Sequence, residues 1–286
     1  LSREVQRVAV VGAGTMGHGI AQVAAMAGLS VTMVDVTEDA LRTALARIRS
    51  NLDEGVRRGK VSETMREAAL ANLATDTSLE NAVRTVDLVI EAVPERLELK
   101  EQVFAELERH APTSALLATN TSSLSITEIQ AGLREPGRVL GLHFFNPVHI
   151  NALVEVVRGE RTDPAVVDAG VAFARRLGKE PIVVKDSPGF ASSRLGVLLG
   201  LEAMRMLEEG VATAEAIDKA MEVGYRHPMG PLRLTDLVGL DVRLDIARYL
   251  HSKLGDRFRP PAILERLVAE GNLGKKTGRG FYTWDE

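Results

Sequence analysis

The sequence predicts an α/β domain built on a mainly parallel sheet, followed by a second domain made only of helices. Three observations lead there. Short β-branched or leucine-rich runs recur with helix-length stretches between them, glycines punctuate the first strand-to-helix junction, and the strand rhythm stops after Lys185.

The strand runs are residues 8–11, 31–34, 88–93, 115–118, 139–144, 153–157 and 182–184, and the longer stretches 16–27, 38–55, 97–110 and 164–177 suit helices between them. That alternation is the βαβ rhythm of parallel strands. Runs 139–144 and 153–157 are too close for a crossover helix and allow an antiparallel exception. The most polar excursion, 54–67, reads by itself as a solvated helical hairpin. Asp186-Ser-Pro-Gly189 then breaks the chain before an apolar segment, 190–209, that lacks a wide polar face and is expected to be a buried helix. Further helical patterns cover 214–223, 232–250 and 261–270, punctuated by Gly224, Pro228, Gly230 and Pro231. The expected domains are residues 1–186, with a helical hairpin near 45–72, and residues 187–286.

With 286 residues, 45% of them apolar and 26% charged, the chain can bury a full core. Acidic residues (39) nearly balance basic ones (35), and a net charge of -4 provides no global basic field for nucleic acid or an anionic membrane. The absence of cysteine removes disulfides, thiolate metal sites and thiol nucleophiles, and suits a reducing cytoplasm. No charged-then-apolar leader precedes the first strand, and the densest apolar run, 195–201, is far too short to span a bilayer. Neither export nor membrane insertion is expected.

Val8-Ala-Val-Val-Gly-Ala-Gly-Thr-Met-Gly17 sets Gly12, Gly14 and Gly17, with Ala13, Thr15 and Met16 between them, directly after a strand and before a helix. Gly12 allows the tight turn, Gly14 lets the backbone approach a pyrophosphate, and Gly17 lets helix pack on strand. The helix N-terminus offers unpaired N–H groups and positive partial charge. This is the turn of a Rossmann-type dinucleotide domain, although flavin nucleotides use it too. The next strand ends in Asp35, 18 residues beyond Gly17, close to the roughly 20 expected for a carboxylate that holds a ribose diol. Because a 2′-phosphate would meet that charge, the cofactor expected is NAD rather than NADP.

His143 and Asn146 lie between two apolar runs, with Glu155 inside the second. A histidine beside a hydrophobic strand is more often a satisfied core residue than a catalyst. A metal site on His143 and His149 would need further ligands, and Pro147 interrupts regular structure between them.

Taken in order, Gly12 to Gly17, Glu91-Ala-Val-Pro-Glu95, Asn120-Thr-Ser-Ser-Leu124, His143-Phe-Phe-Asn-Pro147, Asp186-Ser-Pro-Gly-Phe190, Gly230-Pro231 and Gly274-Lys-Lys-Thr-Gly-Arg-Gly-Phe-Tyr282 resemble the L-3-hydroxyacyl-CoA dehydrogenases. The resemblance covers essentially the whole chain and is strongest to the short bacterial 3-hydroxybutyryl-CoA dehydrogenases. It implies reversible, NAD-dependent oxidation of an L-3-hydroxyacyl-CoA to the 3-ketoacyl-CoA. His143 is then the acid/base and Glu155 its orienting partner, although their spacing alone does not impose contact. Ser122 would donate to the substrate oxygen at the cofactor junction. Asn146, Glu95, Lys100 and Lys276 match NAD-contacting positions, and Asn51 and Arg58 match positions of a hairpin that holds the CoA nucleotide. The family also implies an acyl-CoA substrate and a homodimer formed through the C-terminal domain.

Three positions depart from the family pattern. Ser193 stands where an asparagine usually orients the substrate, His149 replaces a usual proline, and Ala152 a usual lysine. They leave acyl-chain preference open. Two rival readings remain: a dehydrogenase of a free hydroxy acid, similar to the L-gulonate dehydrogenases related to lambda-crystallin, and an NAD-binding protein without catalysis. The two-step UDP-sugar dehydrogenases also use glycine loops, but their mechanism needs a cysteine that this chain lacks.

Overall fold

The computed structural model divides into two compact units, Leu1–Asp186 and Ser187–Glu286, and describes residues 4–284 of them. The ends of both expected domains, residues 1–3 and 285–286, lie outside the described residues.

In the first unit, β1 (Arg7–Val11) leads through the glycine turn into α1 (Thr15–Met26), followed by β2 (Ser30–Val34), α2 (Glu38–Arg57), α3 (Glu63–Ala71) and β3 (Leu73–Asp76). The chain then runs through α4 (Leu79–Val83), β4 (Leu88–Glu91), α5 (Leu97–His110), β5 (Leu116–Thr119) and α6 (Ile126–Gln130). It closes with β6 (Val139–Phe144), β7 (Leu153–Arg158), α7 (Pro164–Arg176) and β8 (Glu180–Lys185). These strands form one eight-stranded sheet in the order β3-β2-β1-β4-β5-β6-β7-β8. All neighbours are parallel except β6 and β7, the closely spaced pair. The central strands are apolar and buried on both faces, as a helix-covered parallel sheet requires.

Helices α2 and α3 form the polar hairpin. On α2 the buried residues Leu41, Ala44, Ile48 and Leu52 repeat at helical spacing and face the core, while the charges point outward. Thr37 caps α2 by accepting from the Ala40 N–H, and Ser62 caps α3 by accepting from Met65. Strand β3 has no counterpart among the apolar runs of the sequence. It is a short edge strand, Leu-Ala-Thr-Asp, whose side chains stay partly in water, so burial never selected an apolar pattern there.

The second unit comprises α8 (Ser192–Glu208), α9 (Ala214–Lys219), a π turn at Ala220–Gly224, α10 (Pro231–Val238), α11 (Leu240–Leu254) and α12 (Ala262–Ala269). Val197, Leu201, Met204, Leu232, Leu244, Ala247, Leu250 and Leu264 meet in its core. Two expectations are corrected here. The pattern 232–250 is two helices, because Gly239 at φ 106° leaves the helical region between them. The helix expected over 190–209 begins at Ser192, since Gly189 and Phe190 both take positive φ. Nor is that helix buried all round: its core face is Val197, Gly200, Leu201, Ala203 and Met204, whereas Leu195 is 68% exposed. Among the described residues no helix is long and apolar enough to cross a membrane.

Candidate active site

Strand order reverses at β1, which has β2 on one side and β4 on the other. In open α/β sheets, ligands bind at such a point, beyond the carboxyl ends of the strands. The glycine turn lies there. A Cβ on Gly12, itself at φ 99°, would come within 2.7 Å of the Ala92 carbonyl oxygen after β4, and one on Gly17 would overlap the Gly12 carbonyl. A Cβ on Gly14 would meet nothing within 4 Å. Gly12 and Gly17 are therefore demanded by packing, whereas Gly14 keeps open the space outside the turn.

Helix α1 begins beside that space with Gly14 as its N-cap, no side-chain cap and no acidic residue in its first turn. Its first N–H groups are thus available to an anion. Asp35, at the end of β2, accepts from the Ala13 N–H at 2.8 Å and is anchored to the turn; the α2 cap is Thr37 instead. An open glycine, an uncapped helix start and a fixed carboxylate fit the pyrophosphate and ribose of a dinucleotide.

The carboxyl ends of β4 and β5 carry a buried polar network. Glu91, 0% exposed, accepts from Lys100 Nζ at 2.7 Å, from the Thr119 hydroxyl at 2.7 Å and from the Val93 N–H at 2.6 Å. Burial pushes its carboxyl up, and the Lys100 ammonium and the other donors oppose that shift. Lys100, which could pass in the sequence for a surface charge, is only 1% exposed and also reaches the Val93 carbonyl and Glu95. Glu95 in turn accepts from the Thr121 hydroxyl and from the Ser122 and Ser123 N–H groups, at 2.5, 2.9 and 3.2 Å. The network fixes the loop on which Ser122 stands. No residue among those described bonds the Ser122 hydroxyl.

His143 and Glu155 are register partners on antiparallel β6 and β7. Directly opposed residues project to the same face of a sheet, so the pairing itself supplies the contact that their spacing left open. His143 Nδ1 lies 2.7 Å from Glu155 Oε2. The ring is 4% exposed and tilts against Phe145 with centroids 4.4 Å apart. Asn120 Oδ1 accepts from the Phe144 N–H at 2.9 Å, tying the Ser122 loop to the strand end that bears the histidine.

The other predicted residues lie partly in the first unit and partly in the second. Asn146 is exposed in a loop where the Asn151 side chain donates to its carbonyl at 2.7 Å. Asn51 donates to Gln22 Oε1 at 3.0 Å, and Arg58 is exposed on the hairpin, paired like Arg57 with Glu54. In the second unit Ser193 is partly buried in the first turn of α8, and Lys276 pairs with Asp241 at 2.6 Å. Near the departures His149 and Ala152, the ammonium present is that of Lys179, which donates to the Val148 and Asn151 carbonyls. Burial, then His18 and Lys179, holds the His149 ring below its ordinary range.

Sequence reasoning assigned no role to Glu91, Asn120 or Asn151. Glu91 carried a usable signal, an acid ending a fully apolar strand. The two asparagines carried none, since their partners are backbone groups distant in sequence or hidden in a turn.

Residues 7–187 match the family model "3-hydroxyacyl-CoA dehydrogenase, NAD binding domain", and residues 189–284 match "3-hydroxyacyl-CoA dehydrogenase, C-terminal domain". The chain belongs to the 3-hydroxyacyl-CoA dehydrogenase family. Among its relatives, the probable 3-hydroxybutyryl-CoA dehydrogenase of Bacillus subtilis is 44% identical, the match covering 99% of both chains. The 3-hydroxyadipyl-CoA dehydrogenase of Escherichia coli is also 44% identical, over 98% of this chain and 59% of its own length. The crystal structure of Mycobacterium tuberculosis FadB2 superposes with a TM-score of 0.96 at 46% identity, covering 99% of this chain and 100% of that one. As a member of the 3-hydroxyacyl-CoA dehydrogenase family, the chain is an NAD-dependent oxidoreductase whose first unit carries the cofactor domain.

Proposed function

We propose that this enzyme interconverts a short-chain L-3-hydroxyacyl-CoA, such as 3-hydroxybutyryl-CoA, and its 3-ketoacyl-CoA, with His143 as the acid/base. The observation that carries this reading is the buried His143–Glu155 pair, on a strand end tied by Asn120 to the Ser122 loop. The dinucleotide that the Gly12–Gly17 turn and Asp35 would hold would supply the acceptor for the hydride leaving C3. His143 takes the hydroxyl proton during oxidation and returns it during reduction, and the exchange runs through Nε2 because Nδ1 is engaged by Glu155. The carboxylate selects the tautomer and stabilises the imidazolium that forms. Ser122 donates to the same substrate oxygen. Lys100 acts through Glu91 and Glu95 by holding the loop, while Asn146 and Lys276 contact the cofactor. Asn51 and Arg58 receive the CoA nucleotide, where a guanidinium suits phosphate.

The direct test is NADH oxidation with acetoacetyl-CoA, expected to be rapid and strongly reduced when the CoA moiety is removed. A free hydroxy acid oxidised as efficiently would point to the other dehydrogenase class, and NADH binding without turnover to a silent protein. For the cofactor, Asp35→Asn keeps an oxygen for the Ala13 N–H but removes the charge. NADH binding is expected to weaken by roughly 10-fold or more, the scale of a charged hydrogen bond, and discrimination against NADPH to shrink. Titration by nucleotide fluorescence measures both, and unchanged affinities would remove Asp35 from the ribose site.

A homodimer formed through the second unit is part of the same proposal. Leu234, Leu237 and Val238 on α10 and Val242 on α11 are exposed apolar side chains that such an interface would cover, and sedimentation measures it. The complete absence of cysteine supports a cytoplasmic location.

A further inference from the structure

Strand β5 ends at Thr119 and β6 at Phe144. Asn120, the first residue past β5, carries the pairing of the strands one step further. Its backbone N–H reaches the Glu91 carbonyl on β4, and its side-chain Oδ1 accepts from the Phe144 N–H on β6 at 2.9 Å. A backbone N–H can be met only by the oxygen of a carboxamide, since the nitrogen would present a further donor. The Asn120 side chain is therefore held one way round, across the carboxyl ends of two neighbouring strands.

That orientation leaves Nδ2 with two N–H donors. Asn120 is only 7% exposed, and Nδ2 bonds to no residue among those described. Nor is it one of the polar atoms sealed from solvent, so the donor opens outward. It does so at the carboxyl edge of the sheet, where ligands of open α/β folds bind, and its chain neighbours there are those of the site. Ser122 stands two residues on in the same loop, partly buried, and Phe144 follows His143 directly. Tying the loop to β6 needs only an oxygen, which aspartate would also supply. What the amide adds is an oriented, uncharged donor, and an uncharged donor suits a carbonyl oxygen better than a phosphate.

We propose that Asn120 contacts ligand as well as protein: Nδ2 donates to a carbonyl oxygen brought to this edge, either the 3-keto oxygen of the substrate or the carboxamide oxygen of the nicotinamide. The proposal rests on the dehydrogenase reading above. At the keto oxygen the bond strengthens as hydride adds and negative charge develops, so it raises kcat. At the carboxamide it orients the ring and contributes chiefly to cofactor affinity.

Two variants and one complex test this. Asn120→Asp keeps an oxygen for the Phe144 N–H and loses the amide donor, whereas Asn120→Ala loses both without adding charge, so the lost donor is the one change they share. Donation to the keto oxygen predicts kcat for acetoacetyl-CoA reduction lower by about 10²-fold in both, with NADH affinity little changed. Donation to the carboxamide predicts NADH binding weaker by about 10-fold or more in both, read by nucleotide fluorescence. Impairment of Asn120→Asp alone, an effect of the new charge, or of Asn120→Ala alone, an effect of the lost tie, overturns the contact. A crystal structure of the wild type with NAD and acetoacetyl-CoA needs no variant to fold. It is expected to show a carbonyl oxygen within about 3.2 Å of Nδ2, and water alone at that distance overturns the proposal while the dehydrogenase reading stands. Failure of the wild type to reduce acetoacetyl-CoA overturns both.

Discussion

His143→Gln is expected to lower kcat for acetoacetyl-CoA reduction by about 10²- to 10⁴-fold, the range contributed by a positioned acid/base, with NADH affinity little changed. Glutamine retains an amide that can donate to Glu155, so the buried carboxylate keeps a partner and the strand pairing persists. What it cannot do is carry a proton between solvent and the substrate oxygen. Steady-state rates combined with NADH fluorescence titration separate the two effects. A variant that keeps a third or more of wild-type kcat would return His143 to the status of a core histidine. Because Glu155 acts through the ring, Glu155→Gln should also lower kcat, and by a smaller factor than His143→Gln.

The second large effect separates two glycines of one turn. Gly17→Ala places a methyl onto the Gly12 carbonyl, so the turn or α1 must move. Overpacking of this kind costs about 1–3 kcal/mol or more, and Tm of the protein without cofactor is expected to fall by several degrees. Gly14→Ala places its methyl in open space. Its Tm should stay at the wild-type value while NAD affinity falls about 10-fold or more, a change of about 1.4 kcal/mol or greater in binding. Melting curves with and without NAD read both variants. Equal affinity for NAD in Gly14→Ala and wild type would mean that the pyrophosphate does not approach this turn.

Those experiments divide along the line between what was legible in the residue order and what was not. The strand runs announced seven of the eight strands: six are the inner strands, whose burial on both faces needs continuous apolar sequence, and the seventh, β8, keeps an Ile-Val-Val run although it is an exposed edge strand. The missing strand, β3, is half in water and never acquired that pattern. The apolar run of α8 gave no warning of the exposed Leu195, since a run of hydrophobic letters does not say which side of a helix the core occupies. In the same way, 232–250 looked continuous because periodicity survives one glycine, whereas the positive φ at Gly239 ends the helix.

At the site, the order of residues alone determined the dinucleotide turn and the acid that follows it, because a turn and its two flanking elements are local and their chemistry is written within about 25 residues. It also placed His143 and Glu155 on neighbouring strands. Only the tertiary structure decided that they touch, since contact depends on register, and a slip of one residue would have sent the carboxylate to the opposite face. Tertiary structure also decided that Lys100 is buried against Glu91 and that Arg243 is buried with no acid paired to it among the described residues. The cost of a charge depends on what surrounds it in space, and neighbours in the chain do not specify those surroundings.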